Sequence, residues 1–211
     1  MFLWSSFVEL LRVALFAFAH VCGGSLGGGI IALSLMIRLA LLPLTLRIAL
    51  RAHAHQRLMQ TLKPEIDRLQ RRHANNPLAL ARSTRALHAR HGVEFPPRGT
   101  FLGALVQMPI GGAVYQTVAS AARHAARFLW VRDLSRPDAL VASIAAGLAG
   151  AAVMAGPASP TSRTTAGLAA VATFLLAWRL SAGVGLYWVA SNTVGVVQSL
   201  LVRRAASRGA T

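Results

Sequence analysis

Arg38 is the residue in this sequence whose position demands a chemical explanation. It lies eleven residues after Gly27, inside a run from Gly27 to Leu46 in which it is the sole charge. A guanidinium near the middle of a bilayer costs about 2.5–3.5 kcal/mol on insertion scales, so it must face water, a counter-charge or a cavity. All six acids (Glu9, Glu65, Asp67, Glu94, Asp133 and Asp138) fall outside the long apolar runs. Pairing with a loop acid or reaching to the surface are the alternatives; the mid-run position favours an unpaired cation in a water-filled recess. Ser34 precedes Arg38 by four residues and Thr45 follows by seven, which puts all three on one helical face. Gln107 stands beside Pro109 in a second apolar run, and Ser191, Asn192, Gln198 and Ser199 recur at seven-residue steps in a last one. A single amide in a membrane helix more often joins helices than forms a site. Three runs with amides or hydroxyls, one of them holding an arginine, are more economically explained by a shared hydrophilic cavity.

Enzyme chemistry is not supported. The chain has no His-Glu-x-x-His and no Gly-x-Ser-x-Gly, and no apolar run offers an acid as base or metal ligand. His53 and His55 are two apart and do not face each other on a helix. Cys22 is the single cysteine, which excludes an intramolecular disulfide and a multi-cysteine metal site. No cofactor is expected.

Positioning falls to five apolar stretches: Gly27–Leu46, Thr100–Ala122, Ala139–Ala155, Thr164–Trp178 (extending through Leu180) and Gly183–Val202. About 20 helical residues cross a bilayer core, with about 17 as the lower limit. Composition agrees: 55% of residues are hydrophobic, 13% are charged, and the mean hydropathy is +0.52. The expected class is an all-α polytopic membrane protein.

Charge sets the orientation. The 22 Lys+Arg against 6 acids give a formal +16. Basic residues concentrate in 47–98, in the segment 156–163 (Arg163) and in the tail (Arg203, Arg204, Arg208), which five spans place on one side. Arg12, Arg123, Arg127, Arg132, Arg136 and Arg179 fall on the other. The positive-inside rule then predicts the N-terminus outside and the C-terminus in the cytoplasm. The four arginines of 123–136 run against that rule, partly offset by Asp133 and Asp138.

Between Arg47 and Arg98, Met59, Leu62, Ile66 and Leu69 keep helical spacing, Asn75-Asn76-Pro77 reads as a turn, and Leu80, Thr84 and Leu87 mark a second helix. This predicts a basic cytoplasmic helical hairpin, with Pro64 near a helix start or at a kink. Its sole aromatic is Phe95, so it lacks the interleaved rings of a single-strand nucleic-acid binder; no DNA partner is expected. Near the N-terminus, Trp4, Phe7, Leu11, Leu15 and Phe18 form one stripe, with Ser5, Glu9 and Arg12 off it. That pattern suits an amphipathic helix lying in the interface, retained rather than cleaved as a signal, with a sixth span as the alternative. Cys22–Gly29 (CGGSLGGG) then breaks the helix. The expected organisation is 1–26 extracytoplasmic helix and turn, 27–46 first span, 47–98 hairpin, 99–202 spans two to five, and 203–211 cytoplasmic tail.

Five motifs in order resemble the YidC/Oxa/Alb family of membrane protein insertases. They are Ser34-x-x-x-Arg38-x-x-x-x-Pro43-Leu44, Leu62-Lys63-Pro64-Glu65-Ile66, Gln107-Met108-Pro109-Ile110 with Tyr115, Phe128-Leu129-Trp130-Val131-Arg132-Asp133-Leu134-Ser135, and Gly185-Leu186-Tyr187-Trp188-x-x-Ser191-Asn192. The resemblance implies five core helices around a groove open to cytoplasm and lipid. There, hydrophilic segments of nascent client proteins are received while apolar segments pass into lipid, in a bacterial cytoplasmic membrane. By position, Arg38, Ser34, Gln107, Ser191 and Asn192 would line that groove, and the ribosome and a secretion channel are further partners the family suggests. The likeness is to the family's minimal form, and the nine residues after Val202 weaken ribosome docking through a long tail. Ser181-Ala182-Gly183 departs from relatives that often place a proline before the glycine. The competing reading is a small anion channel or transporter, although no inverted repeat or matched pair of broken helices supports a transporter.

Overall fold

The computed structural model describes residues 2–74, 76–93, 98–122, 127–157 and 161–208, with side chains over 4–74, 76–93, 109–121, 127–157 and 161–207. Among the described residues seven helices follow in order: α1 (Phe2–Val21), α2 (Leu26–Arg72), α3 (Pro77–Arg90), α4 (Arg98–Ala122), α5 (Ala139–Ala155), α6 (Ser162–Arg179) and α7 (Ala182–Arg208). No sheet forms among the described residues. Trp4–Val21, Leu26–Arg72 and Ala182–Ser207 are long and apolar enough to cross a membrane, and Ala139–Ala155 is a shorter apolar helix. The protein is therefore an all-α polytopic membrane protein.

Two compact units divide the chain, one formed by 1–44 with 107–211 and the other by 45–106. The core of the first joins Leu11 and Leu15 of α1, Ile30 and Leu33 of α2, Val114 and Val118 of α4, Val141 of α5 and Val184 of α7. The segment between α4 and α5 adds Val131 and Leu134 to that core.

The break expected over Cys22–Gly29 is shorter than its glycines suggest. Gly23 and Gly24 take φ of 70° and 80° and close the turn, but α2 starts at Leu26, so Gly27 and Gly29 are helical. Close packing explains their presence. A Cβ on Gly27 would collide with the Phe128 ring, and one on Gly29 would lie 2.8 Å from the Ala19 backbone. What the helix loses in propensity at these glycines is offset by contacts that a side chain would block.

Helix α1 packs against α2 and α4. Ala19 touches Gly29 near the start of α2, the carbonyl of Val8 accepts from Thr117 Oγ1 at 3.5 Å, and Trp4 Nε1 donates to Gln116 Oε1 at 3.2 Å. The Trp4 ring also reaches Gly112. The buried stripe of α1 is Leu11, Leu15 and Ala19, while Leu10, Val13 and Phe16 are exposed.

Unit two is a helical hairpin with a thin core. Leu62, Leu87 and Val93 are buried, with Leu58, Met59, Ile66 and Leu69 against them. Asn76 caps α3 by accepting from the Ala79 amide at 3.0 Å, and Pro77 follows as its first residue. Helix α2 continues without interruption past Leu46, the end expected from hydropathy, through Pro64 to Arg72. The Ala, Arg, Leu and Gln residues over 47–60 are good helix formers and carry no stop signal. Pro64 forgoes its own amide bond, a loss that an exposed carbonyl one turn earlier can repair with water.

Candidate functional site

Arg38 and Ser191 come together. Arg38 is part-buried on α2, and its Nε donates to Oγ of Ser191 on α7 at 2.5 Å. Ser191 is 3% exposed, so the guanidinium is held at a buried hydroxyl. The ion pairs among the described residues are Arg12–Glu9 at 3.3 Å and Arg136–Asp133 at 3.4 Å, and neither engages Arg38. Those residues also contain no cluster of three or more His, Cys, Asp or Glu fit for a metal ion.

The other candidates hold different posts. Ser34 is 1% exposed and donates its hydroxyl to the Ile30 carbonyl of its own helix, one turn before Arg38. Asn192 donates Nδ2 to the Ala145 carbonyl at 3.0 Å, which ties α7 to α5. Gly185 supports the same pairing, since a Cβ there would fall 2.6 Å from Cγ1 of Val141. Gln107 belongs to α4, and its side chain lies outside the described residues. Gln116 and Thr117 were passed over in the motif reading, yet Thr117 is fully buried and donates to the Ala113 carbonyl at 2.9 Å. Both are polar residues in a span without charge, and that was the signal available to find them.

The segment before α5 fastens the start of α7. The Ala182 amide donates to the Arg136 carbonyl at 2.8 Å and the Gly183 amide to the Leu134 carbonyl at 3.0 Å, satisfying two donors that a helix start leaves open. A proline at 182 would forgo the first bond, so alanine there has a structural use. Asp133 accepts from the Ser135 hydroxyl at 2.6 Å and its amide at 2.8 Å. The hydroxyl bond chiefly, then the amide bond and the Arg136 charge, hold its carboxyl below the usual range. Asp138 caps α5 through the Val141 amide at 2.9 Å. Two loop acids are thus committed to local structure.

In the hairpin, a cleft of about 450 Å³ opens between α2 and α3, lined by Glu65, Arg68, Leu69, Arg72, Ser83, Ala86, Leu87 and Arg90. Burial, then the nearby Arg57 charge, lowers the pKa of His53.

The class so defined is a helical membrane protein with an arginine held on a serine of a neighbouring helix. Comparison with known proteins narrows it. Residues 17–208 match the model of the 60Kd inner membrane protein family. Proteins named membrane protein insertase YidC are similar over most of the chain. That of Clostridium tetani is 27% identical, covering 85% of this chain and 82% of its own. YidC 1 of Streptococcus pyogenes serotype M3 is 31% identical over 85% of this chain and 67% of its own. YidC 1 of Halalkalibacterium halodurans is 31% identical over 95% and 79%. The chain belongs to the YidC/Oxa/Alb family.

Proposed function

We propose that this protein is a membrane protein insertase and chaperone of a bacterial cytoplasmic membrane, with its N-terminus outside and its C-terminus inside. In this reading, hydrophilic segments of nascent client proteins enter a recess around Arg38 while their apolar segments move into lipid. The observation that carries it is the Arg38–Ser191 bond. The guanidinium sits inside an apolar span, is oriented by a buried hydroxyl, and has no carboxylate partner among the described residues. A fixed cation in reduced dielectric attracts a passing carboxylate more strongly than it would in water. Ser191 sets the guanidinium's direction, and Ser34 supports the helix one turn away. Asn192 holds α7 on α5, and Gln107 would complete the lining by its place in the family motif. The work is transfer between phases, with no covalent step and no cofactor. The ribosome or a secretion channel would deliver clients.

Site-specific photocrosslinking tests this. Probes at Gln107 and Ser191 should join nascent membrane proteins during synthesis, and a probe at exposed Leu168 of α6 should not. Equal crosslinking from all three positions would remove the recess from the mechanism.

A further inference from the structure

Four arginines near the end of α4 oppose the charge rule that orients the rest of the chain, and the segment they occupy carries an unusual turn. Phe128 and Val131 exchange both backbone hydrogen bonds at 2.9 Å, closing a two-residue tip of Leu129 and Trp130. Leu129 takes φ of 51°, a left-handed backbone that a branched, apolar side chain rarely adopts. Leu129 is 75% exposed and Trp130 is 48% exposed. The base of the turn is fixed: Val131 and Leu134 are buried, and Phe128 lies on Gly27. Strain at an apolar residue aimed away from the core calls for an occupant outside the core.

The surroundings identify it. Arg127 and Arg132 flank the tip, both exposed and neither in an ion pair among the described residues. The Ala182–Arg136 bond brings the α6–α7 turn alongside, where exposed Trp178 and Arg179 repeat the pairing of an indole with a guanidinium. Because the segment joins two membrane helices, it returns to one membrane surface. Apolar and indole groups interleaved with cations at that level match the boundary between acyl chains and phosphates.

We propose that Leu129 and Trp130 form an anchor that inserts into the headgroup layer of the bilayer, with Arg127 and Arg132 on the phosphates of anionic phospholipids. Two of the four arginines that oppose the charge rule, Arg127 and Arg132, are then interfacial ligands. The anchor holds the α4–α5 connection, and through the Leu134 and Arg136 carbonyls the start of α7, at a fixed depth.

A fluorophore on Leu129→Cys in a Cys22→Ser background, reconstituted in vesicles, tests the anchor without a client, so the outcome is independent of insertase activity. A nitroxide on the lipid headgroup should quench it several-fold more than aqueous iodide or a nitroxide deep on the acyl chain. Adding phosphatidylglycerol to phosphatidylcholine vesicles should increase that quenching, and Arg127→Gln with Arg132→Gln should abolish the increase. Glycine suits the Leu129 backbone, so Leu129→Gly keeps the turn; a label at Trp130→Cys in that variant should lose at least half of its headgroup quenching. A label as open to iodide as the same dye on glutathione would overturn the proposal. So would indifference to phosphatidylglycerol, or shielding that requires a second protein.

Discussion

Arg38 on α2 and Ser191 on α7 are 153 residues apart in sequence and joined by a hydrogen bond from Nε to Oγ. The bond leaves the outer edge of the guanidinium pointing away from the serine. A bidentate carboxylate could approach there, whereas an ammonium would offer a point charge without the planar fork.

Substituting Arg38 separates charge from geometry. Arg38→Lys should keep much of the insertion of clients with acidic extracytoplasmic tails if Coulomb attraction dominates, and fail if a bidentate grip is needed. Arg38→Ala should depress insertion of acidic-tailed clients more than of neutralised ones, without loss of protein from the membrane, because no described carboxylate is left stranded. Paired clients compared at matched abundance decide this. An equal loss for both would dismiss the electrostatic account.

Ser191→Ala keeps the charge and removes its guide. A typical hydrogen bond contributes about 1 kcal/mol net, so insertion of acidic-tailed clients should fall by roughly five-fold. The loss should be smaller than for Arg38→Ala, and the double variant should be no worse than Arg38→Ala alone. Additive losses would show that the two residues act separately.

Deleting 59–90 removes most of the hairpin. Its own core is thin, formed by Leu62, Leu87 and Val93, and Arg68, Arg72 and Arg90 line its cleft, the marks of an element that opens locally at low cost. The shortened protein should integrate into the membrane and melt at a similar temperature, yet insert clients poorly. Aggregation or degradation would make the hairpin a structural element. In the intact protein, protease outside sealed cells should spare 47–98, and cleavage there would reverse the proposed orientation.

Much of this architecture was legible in one sequence because a bilayer imposes simple rules on length and charge. Helix α5 occupies Ala139–Ala155, the stretch that hydropathy alone marks out, and Asn76-Pro77 opens α3 as turn chemistry requires. Why glycine stands at 27 and 29 was not legible, because its use there depends on Phe128 and Ala19, neither of which lies beside it in the helix. The end of the first apolar run also gave no warning that the helix would continue, since hydropathy reports the solvent and propensity the backbone. At the site, Arg38 was visible from its isolation, whereas its bond to Ser191 depends on how two distant helices face each other. Nor could spacing reveal that Ser34 and Asn192 spend hydrogen bonds on backbone carbonyls.

Gly27→Ala tests the seat of the α4–α5 segment. The added methyl would collide with Phe128, and overpacking of this kind typically costs about 1–3 kcal/mol. The melting temperature should fall, and Phe128→Ala in the same chain should recover part of the loss by emptying the space. Failure of the second substitution to help would place the cost in α2 itself.

Asp133 gives the same segment a pH dependence whose sign follows from its lowered pKa. A carboxylate whose folded pKa lies below its unfolded value stabilises the fold above the unfolded pKa, near 4 for an ordinary aspartate. That contribution is lost as pH falls through the lower, folded value. Exchange protection of the Ser135 amide should therefore persist at neutral pH and through mild acid, then decline once Asp133 is protonated and its acceptor strength falls. Asp133→Asn retains an Oδ1 acceptor for Ser135 without a titrating charge, so protection should be weaker but flat with pH. Asp133→Ala should lose it at every pH. If Asp133→Asn kept the wild-type pH profile, the titrating group would lie elsewhere and the Asp133–Ser135 bonds would not be what orders the turn.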